Sequence, residues 1–228
     1  MRAAVGLAKA AAIALAAVAG AYAARAGLTW YCYGRASESA DPGERDEILD
    51  RFMPRYDVVE RHRIHVAAPA EVTLAAASEQ DLMEVPLIHA IFRSREIVMG
   101  AAPRSPKSRG LLAMTEALGW GVLAQVPGRE IVMGAVTRPW EADVTFRALP
   151  PAEFAAFAEP GFVKIAWTLR ADPVGAETSV FRTETRALAT DAVARARFRA
   201  YWSWASPGIA LIRRLSLRPL KRAAERHR

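Results

Sequence analysis

The sequence predicts an α+β fold in which a curved antiparallel sheet is closed by a long C-terminal helix, preceded by a hydrophobic N-terminal helix. Three observations predict it. Several segments between residues 56 and 188 alternate apolar and polar residues and are joined mostly by short turns, which favours antiparallel pairing. Phe198, Tyr201, Trp202, Ala205, Ile209 and Ile212 recur at three- and four-residue intervals and share one helical face. Ala3 to Ala24 is apolar apart from Lys9.

Composition sets the bounds. The 228 residues, 52% of them hydrophobic, suit one ordinary domain once the N-terminal stretch is set aside. A single cysteine rules out an intrachain disulfide. The net charge of +7 is unevenly placed: from Asp191 onward ten Lys or Arg face two acids, a net +8, so the rest of the chain sits near −1. A basic amphipathic end beside a possible anchor favours contact with anionic lipid. No recognisable nucleic-acid-binding motif accompanies the charge, and nucleic acid is not an expected partner.

The N-terminal run Ala10 to Ala24 spans 15 residues, between a signal-peptide core and a full membrane span. Ala21-Tyr22-Ala23 has the small-x-small form of a cleavage site. Leu28, Trp30, Tyr31 and Tyr33 resemble an interfacial aromatic belt, and Lys9 can snorkel. An uncleaved anchor and a cleaved export signal both fit. Arg2 and Lys9 on one side and Arg25 and Arg35 on the other leave the orientation open.

The remaining elements follow in order. Residues 1–36 form the hydrophobic segment and 37–55 a linker, polar and Pro-Gly-bearing over Ser37 to Glu44, with a short helical turn from Asp46 to Phe52. Residues 56–217 form the domain and 218–228 a basic tail. Tyr56 to Val66 alternates as a strand, with Val58, Glu60, His62, Ile64 and Val66 on one face. Pro69 and Glu71 open a helix that runs to about Ser78, and a second helix covers Leu82 to Arg95. Ala101 to Arg109 reads as a loop. Trp120 to Val126 and Glu130 to Thr137 form a hairpin around Pro127-Gly128-Arg129. Asp143 to Ala148 is a strand, Pro150 to Pro160 a proline-bounded helical turn, and Phe162 to Arg170 and Thr178 to Leu188 are strands joined by a turn at Asp172 to Gly175. Asp191 caps the closing helix, and Pro207 is expected to kink or divide it. Arg195, Arg199, Arg213 and Arg214 lie mostly off its apolar face.

A first strand running into Val66-Ala67-Ala68-Pro69-Ala70-Glu71-Val72, a late strand Phe181-Arg182-Thr183-Glu184-Thr185-Arg186 and a closing helix resemble the START-related (SRPBCC) superfamily, over roughly Tyr56 to Leu217. That superfamily includes lipid-transfer domains, pollen-allergen-like proteins and polyketide cyclases. The resemblance implies a helix-grip fold with a hydrophobic cavity between sheet and helix. It implies binding or carriage of a hydrophobic small molecule such as a lipid, fatty acid or polyketide. It brings no universal catalytic motif.

Candidate site residues follow from the strand faces. Glu60 and His62 share the apolar face of the first strand and are the candidates for acid–base chemistry in a cyclase or dehydratase. Trp120, Met133, Trp140, Trp167, Phe181, Thr183, Tyr201 and Trp202 are the candidates to line a ligand pocket, and the rings can equally fill a core. Arg182, Glu184 and Arg186 are expected outward, as a charged ladder on the solvent face. The four histidines and Cys32 show no ligand spacing, and neither GxSxG nor a phosphate-cradling glycine loop is present, so no metal or other cofactor is expected. The partners expected are a hydrophobic small molecule and a membrane, met through the N-terminal segment and the basic tail.

Overall fold

The computed structural model describes residues 2–35, 45–102 and 110–227. The polar linker over Ser37 to Glu44 and most of the loop expected at Ala101 to Arg109 lie outside the described residues. The elements are α1 (Arg2–Cys32), α2 (Glu47–Phe52), β1 (Val58–Val66), α3 (Ala70–Glu79), α4 (Pro86–Met99), α5 (Leu111–Ala117), β2 (Gly121–Val126), β3 (Glu130–Thr137), β4 (Phe146–Arg147), α6 (Pro151–Ala156), β5 (Val163–Gly175), β6 (Thr178–Ala189) and α7 (Ala192–Arg226).

The strands form one antiparallel sheet in the order β1-β6-β5-β3-β2, with the short β4 also on β3. The β2–β3 hairpin turns at Gly128, whose φ of 68° lies in the left-handed region that glycine adopts without cost. Alternation then assigns two faces. Ile131, Met133, Trp167, Leu169 and Phe181 pack against Leu74 and Ala77 of α3 and Leu220 and Ala224 of α7. Val132, Val136 and Ala166 point the other way, onto Leu49 of α2, Met53 and Phe154 of α6. The central strand β3 is buried along its whole length because helices cover both faces. This is the helix-grip architecture: a curved sheet closed on one side by a long C-terminal helix.

Three expectations change. Helix α7 runs unbroken through Pro207 and Pro219 for 35 residues. Each proline removes one backbone bond, but flanking turns are pinned on the sheet at Phe198 and Trp202 and again at Leu220 and Ala224. The basic end therefore belongs to the helix instead of hanging free as a tail. The strand expected at Asp143 to Ala148 shrinks to the two residues of β4, since only Val136 and Thr137 of β3 remain to pair with it. Helix α5, which carries no capping side chain, falls in a stretch between the expected loop and the hairpin to which the sequence pattern assigns no element.

Helix α1 contains a stretch, Lys9–Cys32, long and apolar enough to cross a membrane. Its last turns dock on α7. Tyr22 Oη donates to the Trp204 carbonyl. Arg199 donates to the Trp30 carbonyl at 3.0 Å and lies over the Trp30 ring. Tyr33 Oη donates to Asp57 at 3.2 Å, and Arg195 pairs with the same carboxylate at 2.7 Å. Burial, then the Asp57 charge, raises the Tyr33 phenol well above its usual range, so it stays a donor.

Candidate functional site

The sheet register lines up one row across four strands: Glu60 opposite Thr185, Thr185 opposite Trp167, and Trp167 opposite Met133. His62 stands opposite Thr183 and Ile64 opposite Phe181. Residues directly paired share a face, so all of these look toward α7. On β1, Glu60 and His62 are two residues apart and thus neighbours on that face. Glu60 Oε2 lies 3.3 Å from His62 Nε2, with both side chains largely shielded.

From the other side α7 contributes Arg213. Its Nη2 donates to Thr185 Oγ1 at 2.7 Å and its Nη1 to Thr183 Oγ1 at 3.3 Å. The guanidinium lies 5.7 Å from the centre of the Trp167 ring. Desolvation pushes it down to about 10, partly opposed by the charge of Glu60, so it remains a cation at neutral pH. Among the described residues no carboxylate lies within salt-bridge distance of it.

The predicted lining residues separate into two groups. Trp120, Met133, Trp167 and Phe181 belong to one cluster, in which the Trp120 ring meets Phe146 at 4.9 Å and Trp167 at 6.2 Å. Trp140, Tyr201 and Trp202 gather around Phe198 nearer the start of α7. Thr183 carries the polar contact to Arg213. Met133, Trp167 and Phe181 are 0%, 4% and 2% exposed, so the face is closed over by its helices.

Arg182, Glu184 and Arg186 face away from α7, as alternation requires, yet they are not a solvent ladder. Glu184 and Arg186 are buried because α2 and the segment after it lie across them. Arg61 grips Glu184 with two bonds of 2.9 and 3.1 Å, and Arg186 adds a third at 2.6 Å while reaching Asp50 and the Met53 carbonyl. Burial alone would lower Arg186, but Glu184 and Asp50 outweigh it and the net shift is upward. A hollow of about 160 Å³ opens on this outer face, lined by Asp46, Arg61, Arg63, Arg170, Arg182 and Glu184 among others. At its margin Asp172 accepts from Arg170 at 2.7 Å and Arg182 at 2.9 Å.

Arg213, expected mostly off the apolar face of the closing helix, meets the sheet instead, and neither it nor Thr185 is among the candidate site residues read from sequence. Thr185 shares the parity of Phe181 and Thr183. Arg213 continues the partly buried stripe of α7 at four-residue steps from Ala205 and Ile209 towards Leu217. That spacing was available, but an arginine at such a position reads as solvent-facing.

No family model and no curated protein matches the chain. Several solved structures do. Norcoclaurine synthase from Thalictrum flavum, in complex with dopamine and hydroxybenzaldehyde, matches at 14% identity over 84% of this chain and 99% of its own, with a TM-score of 0.33. The di-domain ARO/CYC protein BexL matches at 16% identity over 73% of this chain and 46% of its own, with a TM-score of 0.27. The Zhui aromatase/cyclase from Streptomyces sp. R1128 matches at 14% identity over 75% of this chain and 95% of its own, with a TM-score of 0.23. Similarities this distant carry no functional weight, which must come from the residues of this chain.

Proposed function

We propose that this chain binds a small, largely apolar molecule between the inner face of its sheet and α7, next to a membrane entered by α1. The observation that carries the reading is the polar group set into that face: Arg213 held by Thr183 and Thr185, with the Glu60–His62 pair beside it. Arg213 is half-buried, and shielding a cation with only hydroxyls as hydrogen-bond partners costs free energy. A core built only for packing has no use for it, whereas a ligand site does. Trp167, Met133 and Phe181 supply apolar contact around it. The face is closed, so binding requires part of the cover formed by α3, α5 and α7 to move. The contacts of α1 from Tyr22 to Tyr33 with α7 and Asp57 support its retention as an anchor.

The test is a thermal-shift screen of the full chain in mild detergent against lipids, fatty acids and aromatic polyketide-like compounds. A ligand that binds only the folded state raises Tm by mass action. A shift with one class supports the reading; no shift with any of them leaves the face as a filled core and ends it.

The 3.3 Å contact between Glu60 and His62 favours a second reading, an enzyme of the cyclase or dehydratase kind. His62 would take a proton from carbon next to a carbonyl, Glu60 would orient the ring, and Arg213 would stabilise the enolate oxygen. Under this reading His62→Ala abolishes turnover while a thermal shift with ligand persists. Loss of both together would make His62 a binding residue only.

A further inference from the structure

We propose that the molecule bound between the sheet and α7 carries a carboxylate and that Arg213 is its anchor, an inference that rests on the binding reading above.

Arg213 stands apart from the other partly or fully shielded arginines of this fold. The other well-shielded ones have carboxylate partners: Arg61 and Arg186 share Glu184, and Arg170 and Arg182 share Asp172. Arg213 has two hydroxyls instead. A guanidinium presents five N–H donors in a planar fork. Thr183 and Thr185 stand two residues apart on β6 and take one donor from each terminal nitrogen. They orient the fork and leave donors unused. Those donors match the two oxygens of a carboxylate, the geometry in which arginine recognises anions most strongly. The effect on the cation agrees. Carboxylate neighbours raise Arg61, Arg170 and Arg186 despite their burial, whereas Arg213 is left lowered.

The surroundings set the rest of the molecule. Trp167 lies against the guanidinium, Met133 is the next residue along the sheet row, and Leu217 and Leu220 follow on α7. A single acidic head on an aliphatic or ring-bearing body satisfies both parts. Glu60, already engaged by His62, stands on the head side and disfavours a second negative charge on the ligand.

The experiment compares decanoate with decanol, which match in chain length and differ in the charged head. Binding to the full chain in lipid nanodiscs is measured by calorimetry, with empty nanodiscs as the blank. The expected result is at least tenfold tighter binding of decanoate to the wild-type chain. Arg213→Gln should erase that preference while decanol binding stays within about threefold, each tenfold step being about 1.4 kcal/mol. Arg213→Lys, which keeps the charge but loses the fork, should retain part of the preference and provides the test if the glutamine variant does not fold. Equal binding of the two probes to the wild-type chain, or a carboxylate preference that survives Arg213→Gln, overturns the proposal while leaving the binding reading standing. Neither probe binding above the blank overturns both.

Discussion

The Nη2 of Arg213 lies 2.7 Å from Thr185 Oγ1, joining the middle of α7 to the sheet row that also holds Glu60 and Trp167. This is a cation bound to a neutral partner, and the outer face of the same strand offers the contrast. There Arg186, one residue after Thr185, is bound to Glu184 and Asp50.

Two substitutions to methionine should therefore behave in opposite ways. Arg186→Met removes the buried cation shared by Glu184 and Asp50, leaving Glu184 to Arg61 alone, and should cost about 3 kcal/mol. Arg213→Met removes a half-buried charge that no carboxylate pairs with directly and should cost less than about 1 kcal/mol, or stabilise, in the ligand-free chain. Denaturant unfolding of both variants measures the difference directly. Equal losses would mean that Arg213 is an ordinary structural cation.

Glu130 predicts a pH dependence. Burial, then the neighbouring Asp46, lifts its carboxyl from 4.5 to about 8, and its Oε1 has no hydrogen-bond partner among the described residues. The folded chain thus holds a proton that the unfolded chain releases at lower pH. Below 4.5 both states are protonated at this site, and above about 8 both are ionised. Between those values the folded state binds more protons, so stability falls as pH rises, by up to about 1.4 kcal/mol per pH unit. Glu130→Gln should flatten the slope attributable to this group. An unchanged slope in the variant would place the dependence elsewhere.

Asp57 predicts how α1 is held. It accepts from Tyr33 and the Ala189 amide and pairs with Arg195, linking the end of α1, the edge of β6 and the start of α7. Asp57→Ala removes a buried carboxylate whose cation, Arg195, is half exposed, and should loosen α1 from the domain at a cost of about 1–3 kcal/mol. Hydrogen exchange over residues 22–35 should rise by an order of magnitude or more, roughly tracking that loss. Unchanged protection there would show that the Trp30 and Trp204 contacts suffice.

Much of the fold was legible because strand alternation is strict. The parities of β1, β5 and β6 placed Glu60, His62, Trp167, Phe181 and Thr183 on one face and Arg182, Glu184 and Arg186 on the other. Burial of the second set was not legible. Nothing local in the sequence says that α2, more than 120 residues earlier in the chain, lies across Arg186. The long helix hid the central residue of the site. Over 35 residues its sheet-facing stripe passes through Ala205, half-buried Ile209, Arg213 and Leu217, then Leu220 and Ala224, and charge alone made Ile212 look the better choice than Arg213. Trp204, which cannot share a face with Trp202, presents its carbonyl to Tyr22 of α1.

Native mass spectrometry of the full chain, released from nanodiscs and compared with Arg213→Gln, tests the binding claim most directly. The wild-type chain is predicted to carry a single stoichiometric adduct that ionises as a carboxylate once dissociated, and the variant to lose it. A bare wild-type mass, under conditions where added decanoate also fails to be retained, would contradict a ligand site between the sheet and α7.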